Sequence, residues 1–395
     1  MTDPNPVPIP ITTPAALAFA HEGEWLWAGL QLATVVVALA FLATGWGAWL
    51  RRGIDGLTGG RAWLTLILFA WAFLLAETIV ALPLRYLDQV ERWSRWAPMG
   101  FPPPSLGPWL VGQAVQVAVI GVLAAAGLWI PARLLERRPR TWPWIFTAIA
   151  LPALSATLVL WQVVLLPMTT RFEPIRDPAL SSQIHALAAR CGAGDVPILV
   201  GGDDTTVVGL GPTSRILVDP WSLKLETPRQ LMTTLAHELK HHLMGDNWLA
   251  LAVVGALMLG GALLVQVLGG LAIRRWGART GVGALYDAAA LPLIALILAA
   301  GWTLAGLPIF IAVQRHVELD ADRFALEVTH DNQALGEWQA RGGALPWRMN
   351  QEDWVTRVFL DNHPSQGQRV AFANSYRPWA HGQHGAYDGV CKPAA

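Results

Sequence analysis

The sequence predicts a mainly α, polytopic membrane bundle of about six spans, with a polar part that contains a small β element. Three observations predict it. Hydrophobic residues make up 53% of the 395-residue chain and charged residues only 14%, against about 25% charged in ordinary soluble domains. Six apolar stretches are long enough to cross a hydrocarbon core, which takes about 20 helical residues. Between the fourth and fifth stretch lies a polar segment with turn signals and two short apolar, β-branched runs. The 21 Trp fit this class, because amphipathic rings line membrane interfaces. Net charge is +0, so nothing points to nucleic acid as a partner. The expected setting is a multi-pass protein of the cell membrane, in contact with the bilayer.

Residues 1–24 are Pro-rich and carry no Lys or Arg. They lack the basic start of a signal peptide and read as an N-terminal tail. Residues 25–168 read as an N-terminal membrane domain of four spans: Trp25 to Leu50, Ala62 to about Leu84, Pro108 to about Ile130, and Trp142 to about Met168. Pro152 is expected to kink the fourth, which membrane helices tolerate. Glu77 lies deep in the second span. An intramembrane carboxylate marks either a functional site or a structural contact facing other helices.

Residues 169–395 form the remaining domain, with two further spans at about 248–272 and 285–313. Ahead of them, Ser181 to Arg190 reads as a helix. Val196 to Val200 and Arg215 to Val218 read as strands, with Gly209-Leu210-Gly211-Pro212 as the turn between. Cys191 and Cys391 give no Cys-x-x-Cys metal pair. One bridge between them is open, but the expectation for each is an inert small residue.

One stretch stands out. Residues 227–245 contain a single His-Glu-x-x-His. His237 and His241 are four apart, so on a helix they stack on one face and can reach one metal ion. Glu238 beside them is a candidate general base. The helix is locally specified: Thr227 as N-cap, Pro228 at the first turn, Gln230 three after the cap, and Gly245 as the stop. A catalytic zinc usually takes three protein ligands and keeps one position for water. Glu318, expected to head a helix just after the sixth span, is the candidate third ligand, giving one zinc per chain. Asp322, four residues on and on the same face, would accept the other ring N–H of a ligand His. Asp320 points elsewhere, and His242 and His316 fall off the ligand faces.

These residues resemble the CAAX prenyl protease type 1 family of integral-membrane zinc peptidases, of the gluzincin type. HELKH is followed by two spans and then by Arg315, Glu318, Ala321 and Asp322, which match the family's Arg-x-x-Glu-x-x-Ala-Asp. Gly209, Gly211, Arg215 and Ile216-Leu217-Val218 resemble its Gly-x-Gly and basic strand. His363-Pro364 and Arg369 match its His-Pro and following Arg. The resemblance implies a gluzincin-type metallopeptidase domain in which His363 and Arg369 bind substrate and stabilise the oxyanion. It also implies a peptide or protein substrate, membrane-associated or lipidated. Two departures stand beside it: six spans rather than seven, and Val207-Val208 where the family has Asn-Ala.

The expected reaction is zinc-dependent peptide hydrolysis with Glu238 as general base. Two alternatives stay open, a signalling receptor-peptidase of the penicillin-sensing type and a non-catalytic zinc-binding membrane scaffold. The short loops 51–61, 133–141 and 273–284 hold Arg51, Arg52, Arg61, Arg133, Arg137, Arg138, Arg140, Arg274, Arg275 and Arg279. The positive-inside rule puts them in the cytoplasm and the catalytic segments outside, whereas the resemblance implies a cytosolic site.

Overall fold

The computed structural model describes residues 5–392. The first residues of the expected tail, 1–4, and the last of the chain, 393–395, lie outside the described residues. The six expected spans are present as long apolar helices: α1 (Pro14–Ala43), α3 (Ala62–Ser94), α4 (Leu106–Arg137), α5 (Trp142–Thr169), α9 (Asp246–Thr280) and α10 (Ala288–Thr329). Between α1 and α3 lies the short α2 (Trp46–Thr58). Large apolar side chains such as Leu32, Ile79, Val111, Leu154 and Leu304 stay exposed on the spans, as lipid-facing residues do. α3, α4, α5, α9 and α10 each contain one π turn, a local adjustment that often re-satisfies backbone groups in long helices.

The helices of several spans run on past the expected ends, α3 to Ser94, α4 to Arg137 and α9 to Thr280, and three further boundaries differ. α1 starts at Pro14, inside the expected tail, because Thr13 caps it, Pro14 fits the first helical position and Ala15, Ala16, Leu17 and Ala18 are strong helix formers. It ends at Ala43 rather than Leu50, where Gly45 takes a left-handed conformation, φ 74. Arg51 then belongs to α2 and pairs with Asp55 at 3.0 Å. The third difference matters most. Glu318 heads no helix of its own after the sixth span, since α10 continues without a break to Thr329 and carries Glu318 and Asp322. No Gly or Pro after Pro308 interrupts it.

The chain divides into two compact units. One comprises Met1–Leu17, Leu151–Val254 and Ile309–Ala395, the other Ala18–Ala150 and Gly255–Pro308. In the second unit Glu77 is not a lone charge. Arg85 donates to its carboxylate at 3.0 and 3.3 Å, and Thr34 adds a contact at 3.3 Å. Arg85 also reaches Gln113 at 3.4 Å. An ion pair with hydrogen-bonded neighbours is how a charge becomes tolerable at such depth, so these contacts favour the structural reading of Glu77.

The first unit holds the small sheet. Its strands β1 (Ile198–Val200), β2 (Thr206–Val208) and β3 (Arg215–Val218) lie in the order β1-β3-β2. β1 runs parallel to β3 and β2 antiparallel to it. The sequence reading missed β2, three residues between Thr205 and Gly209. Gly209 follows it at φ 84, where a Cβ would meet the Thr213 carbonyl oxygen at 2.4 Å. Only glycine serves there, which accounts for the first Gly of the Gly-x-Gly.

Helices α6 (Pro178–Arg190), α7 (Pro220–Leu225) and α8 (Pro228–Leu243) surround the sheet, followed in sequence by α11 (Asn332–Gly343) and α12 (Gln366–Ser375). Ile184, Ile216, Leu231, Leu235, Leu239 and Phe324 make one buried core. Leu231, Leu235 and Leu239 repeat every four residues and so anchor one stripe of α8. Each fully buried Leu contributes on the order of 1.5–3 kcal/mol. Cys191, at the end of α6, is bonded to Cys391. The expectation of two inert cysteines is therefore wrong, because the fold brings together residues 200 apart in sequence. The tail is also held: Val7 exchanges two hydrogen bonds with the Asn374 side chain, at 2.9 and 2.8 Å.

Candidate metal centre

The metal-ligand candidates sit on α8 because its start is well fixed. Thr227 and Gln230 form the reciprocal capping box, at 3.1 and 3.3 Å, and Pro228 opens the first turn. Gly245, φ 69, ends it. While one stripe of α8 is buried in the core, the face bearing His237 and His241 meets Glu318 of α10.

There the geometry is tight. The two Nε2 atoms are 3.1 Å apart. Glu318 Oε2 is 3.2 Å from His237 Nε2, and Oε1 is 3.7 Å from His241 Nε2. One donor atom from each of the three lies within 4.8 Å of the others. His237 Nδ1 faces Asp322 at 3.0 Å, and His241 Nδ1 faces Asp246 at 2.7 Å. If each Nδ1 donates to its carboxylate, both Nε2 lone pairs point into one spot. Two such lone pairs beside a carboxylate repel unless a cation lies between them, so the donor set fits a bound divalent metal. Burial works against a proton on His237, yet Asp322 and Glu318 raise it to about 10, another sign that positive charge is favoured here.

The layer behind the candidate ligands is built in two arms. Arg369, on α12, grips Asp322 with Nε and Nη2, at 2.7 and 2.5 Å. Lys240 donates to Asp246 at 2.9 Å and lies 3.4 Å from Asp320. The first arm was foreseen through Asp322, although Arg369 stands behind His237 as much as beside the cavity. Asp246 was missed. Its sequence signal is a carboxylate directly after the Gly245 stop, where the left-handed turn folds the next residue back.

Glu238 is 7% exposed, and burial pushes its carboxyl up to about 8, with His237 pulling the other way. It lines a cavity of about 170 Å3 together with His237, Glu318, His363 and Arg369. His363 Nε2 lies 3.5 Å from Glu318 Oε2, and the ring is half exposed. Arg315 holds its loop, donating to the His363 carbonyl at 2.5 Å, to Glu352 at 2.7 Å and to Gln368 at 2.8 Å. Thus the structure brings together His237, His241, Glu238, Glu318, Asp322, His363 and Arg369. His242 and His316 are not among the clustered donors.

The chain is 25% identical over 248 residues to the Uncharacterized metalloprotease YhfN of Bacillus subtilis (strain 168), a stretch that is 61% of this chain and 58% of that protein. The chain therefore spans well under two thirds of that relative. The crystal structure of S. mikatae Ste24p superposes with a TM-score of 0.63, covering 92% of this chain and 100% of that one at 16% identity. That likeness shows a shared fold, in keeping with the resemblance read from the motifs. Residues 174–377, which contain every residue of the centre, match peptidase family M48, and the chain belongs to that family.

Proposed function

We propose that this protein is a membrane-embedded, zinc-dependent endopeptidase. The observation that carries the proposal is the pair of imidazole Nε2 atoms 3.1 Å apart, joined by Glu318 and flanked by the buried Glu238. His237, His241 and Glu318 would hold one zinc. When bound, zinc would polarise the scissile carbonyl and make a water molecule acidic near neutral pH. The chain's own groups do the rest. Glu238 removes the water proton and returns it to the leaving amine. His363, presented by the loop that Arg315 fixes, faces the oxygen that becomes negative. Arg369 keeps Asp322, and through it His237, in place.

An extended peptide would pair with β2. That strand has β3 as a partner on one side, and the cavity residue Thr205 directly precedes it. The substrate is a peptide or protein, and the family setting favours one that is membrane-associated or lipidated. The catalytic segments are proposed to face away from the cytoplasm. The arginines expected in short loops lie mostly on α2 and at the ends of α4 and α9, next to the same connections; they support that orientation, and so does the Cys191–Cys391 bond, since disulfides persist in oxidising compartments. The test is direct. Purified protein should hold about one zinc per chain and cleave an unfolded protein substrate, and Glu238→Gln should keep the zinc and lose cleavage. Cleavage surviving in Glu238→Gln, or zinc retained in a His237→Ala/His241→Ala double variant, would overturn the reading.

A further inference from the structure

The edge strand β2 has three residues and a strand partner on one side only, which leaves few ladder bonds to hold it. Side chains fix it at both ends. At the cavity end, the Thr205 hydroxyl donates to Asp219 at 2.9 Å and accepts from the Asp219 N–H at 3.1 Å. That ties it to the residue after β3. At the far end, both backbone groups of Gly209 are taken. Its N–H donates to Gln162 Oε1 at 3.1 Å, and its carbonyl accepts from Asn247 Nδ2 at 3.1 Å. Gly209 is buried, so these groups need partners. The partners come from two membrane spans rather than from the sheet. Gln162 belongs to the apolar α5 and sits within its π turn, Leu160–Leu165, and such turns are frequent at functional sites. Asn247 is the second residue of α9, next to the Asp246 that backs His241.

We propose that Gln162 and Asn247 are positioning residues for the substrate. By fixing Gly209 they set the far end of the β2 edge on which an extended peptide pairs, and so govern how firmly a peptide reaching beyond the cavity is held. The inference rests on the peptidase reading, and it adds that recognition extends well past the metal centre. Gly209 lies four residues after the cavity residue Thr205, or about 13 Å along an extended chain. With its N–H committed to Gln162, Gly209 has none to offer a peptide, so donation from this edge ends before it. The two clamping bonds have opposite polarity: Gln162 must accept and Asn247 must donate. A contact of this kind acts on binding rather than on bond cleavage.

Steady-state cleavage of labelled, unfolded casein by the full-length, zinc-loaded protein in detergent tests this. Gln162→Leu and Asn247→Ala should each raise KM about 3- to 10-fold, the worth of one hydrogen bond, with kcat and zinc content within about twofold. Gln162→Glu keeps an acceptor oxygen and should stay close to the parent protein. Asn247→Asp turns the donor into an acceptor and should be at least as weak as Asn247→Ala. General damage to the fold does not give that asymmetry. Peptide length supplies a second readout. A casein peptide with about two residues on each side of the scissile bond is too short to reach Gly209, and its KM should be the same in every variant. One with about six residues on each side should reproduce the casein result. If Gln162→Leu does not fold, Asn247→Ala, at a partly exposed position, carries the test. KM unchanged in the clamp variants, an equal rise for the short peptide, or a parallel loss of kcat or zinc overturns the clamp while leaving the peptidase reading in place. A parent protein that holds zinc and cleaves nothing overturns that reading, and the clamp with it.

Discussion

Replacing Asp246 tests the arm of the metal centre that sequence reading did not reveal. Asp246 accepts from His241 Nδ1 at 2.7 Å and from Lys240 at 2.9 Å, and both acid and lysine are buried, at 10% and 3% side-chain exposure. In Asp246→Asn an amide oxygen can still orient the imidazole, but the charge that strengthens it as a donor is lost. Outer carboxylates of this kind are worth about 10- to 100-fold in metal affinity, or about 1.4–2.7 kcal/mol. Asn, keeping the geometry, should sit at the low end and Ala at the high end. Folding suffers separately. Breaking a buried pair costs up to about 3–5 kcal/mol, here less, because Lys240 still has Asp320 at 3.4 Å and the Val317 carbonyl at 3.4 Å. Asp246→Asn/Lys240→Met removes the stranded cation, so it should recover stability without recovering affinity. Competition against a chelating dye gives the zinc Kd, and thermal unfolding gives the stability. Affinities within twofold of the parent protein in both Asn and Ala variants would refute the argument that Asp246 supports His241.

Three other expectations can be checked independently. His363→Ala should lower kcat by roughly 10²–10³ with zinc content unchanged, as measured by steady-state kinetics. Cys191→Ser should destabilise the first unit by about 2–5 kcal/mol, seen as a lower Tm and as faster proteolysis of the C-terminal segment. A single cysteine placed in the 133–141 loop should resist an impermeant thiol reagent in intact cells, and one placed near residue 350 should react. The reverse pattern would mean a cytosolic catalytic site.

Much of the centre was legible because its information is local. The capping box, the i, i+4 histidines and Gly245 all lie within one helix, so spacing alone placed them. The candidate third ligand, Glu318, was picked out by its place after the sixth span, and its setting was misjudged. Polarity returns at Gln314, but the backbone has no reason to stop there, so the span runs on into the ligand-bearing stretch. Strand β2 escaped because three residues give no usable period. The disulfide escaped because pairing of residues 200 apart depends on the completed fold.

The two supporting arms, His237–Asp322–Arg369 and His241–Asp246–Lys240, have a consequence for charge. Each outer carboxylate is neutralised by its own fixed cation, so neither adds negative potential at the centre. In the proposed reaction Glu318 and Glu238 would lie beside a divalent ion, with Asp204 and Glu226 also lining the cavity. Glu238 would lose its negative charge as it takes the water proton while a substrate oxygen gains one, so the reaction would move negative charge from Glu238 onto the substrate without changing the total charge of the site.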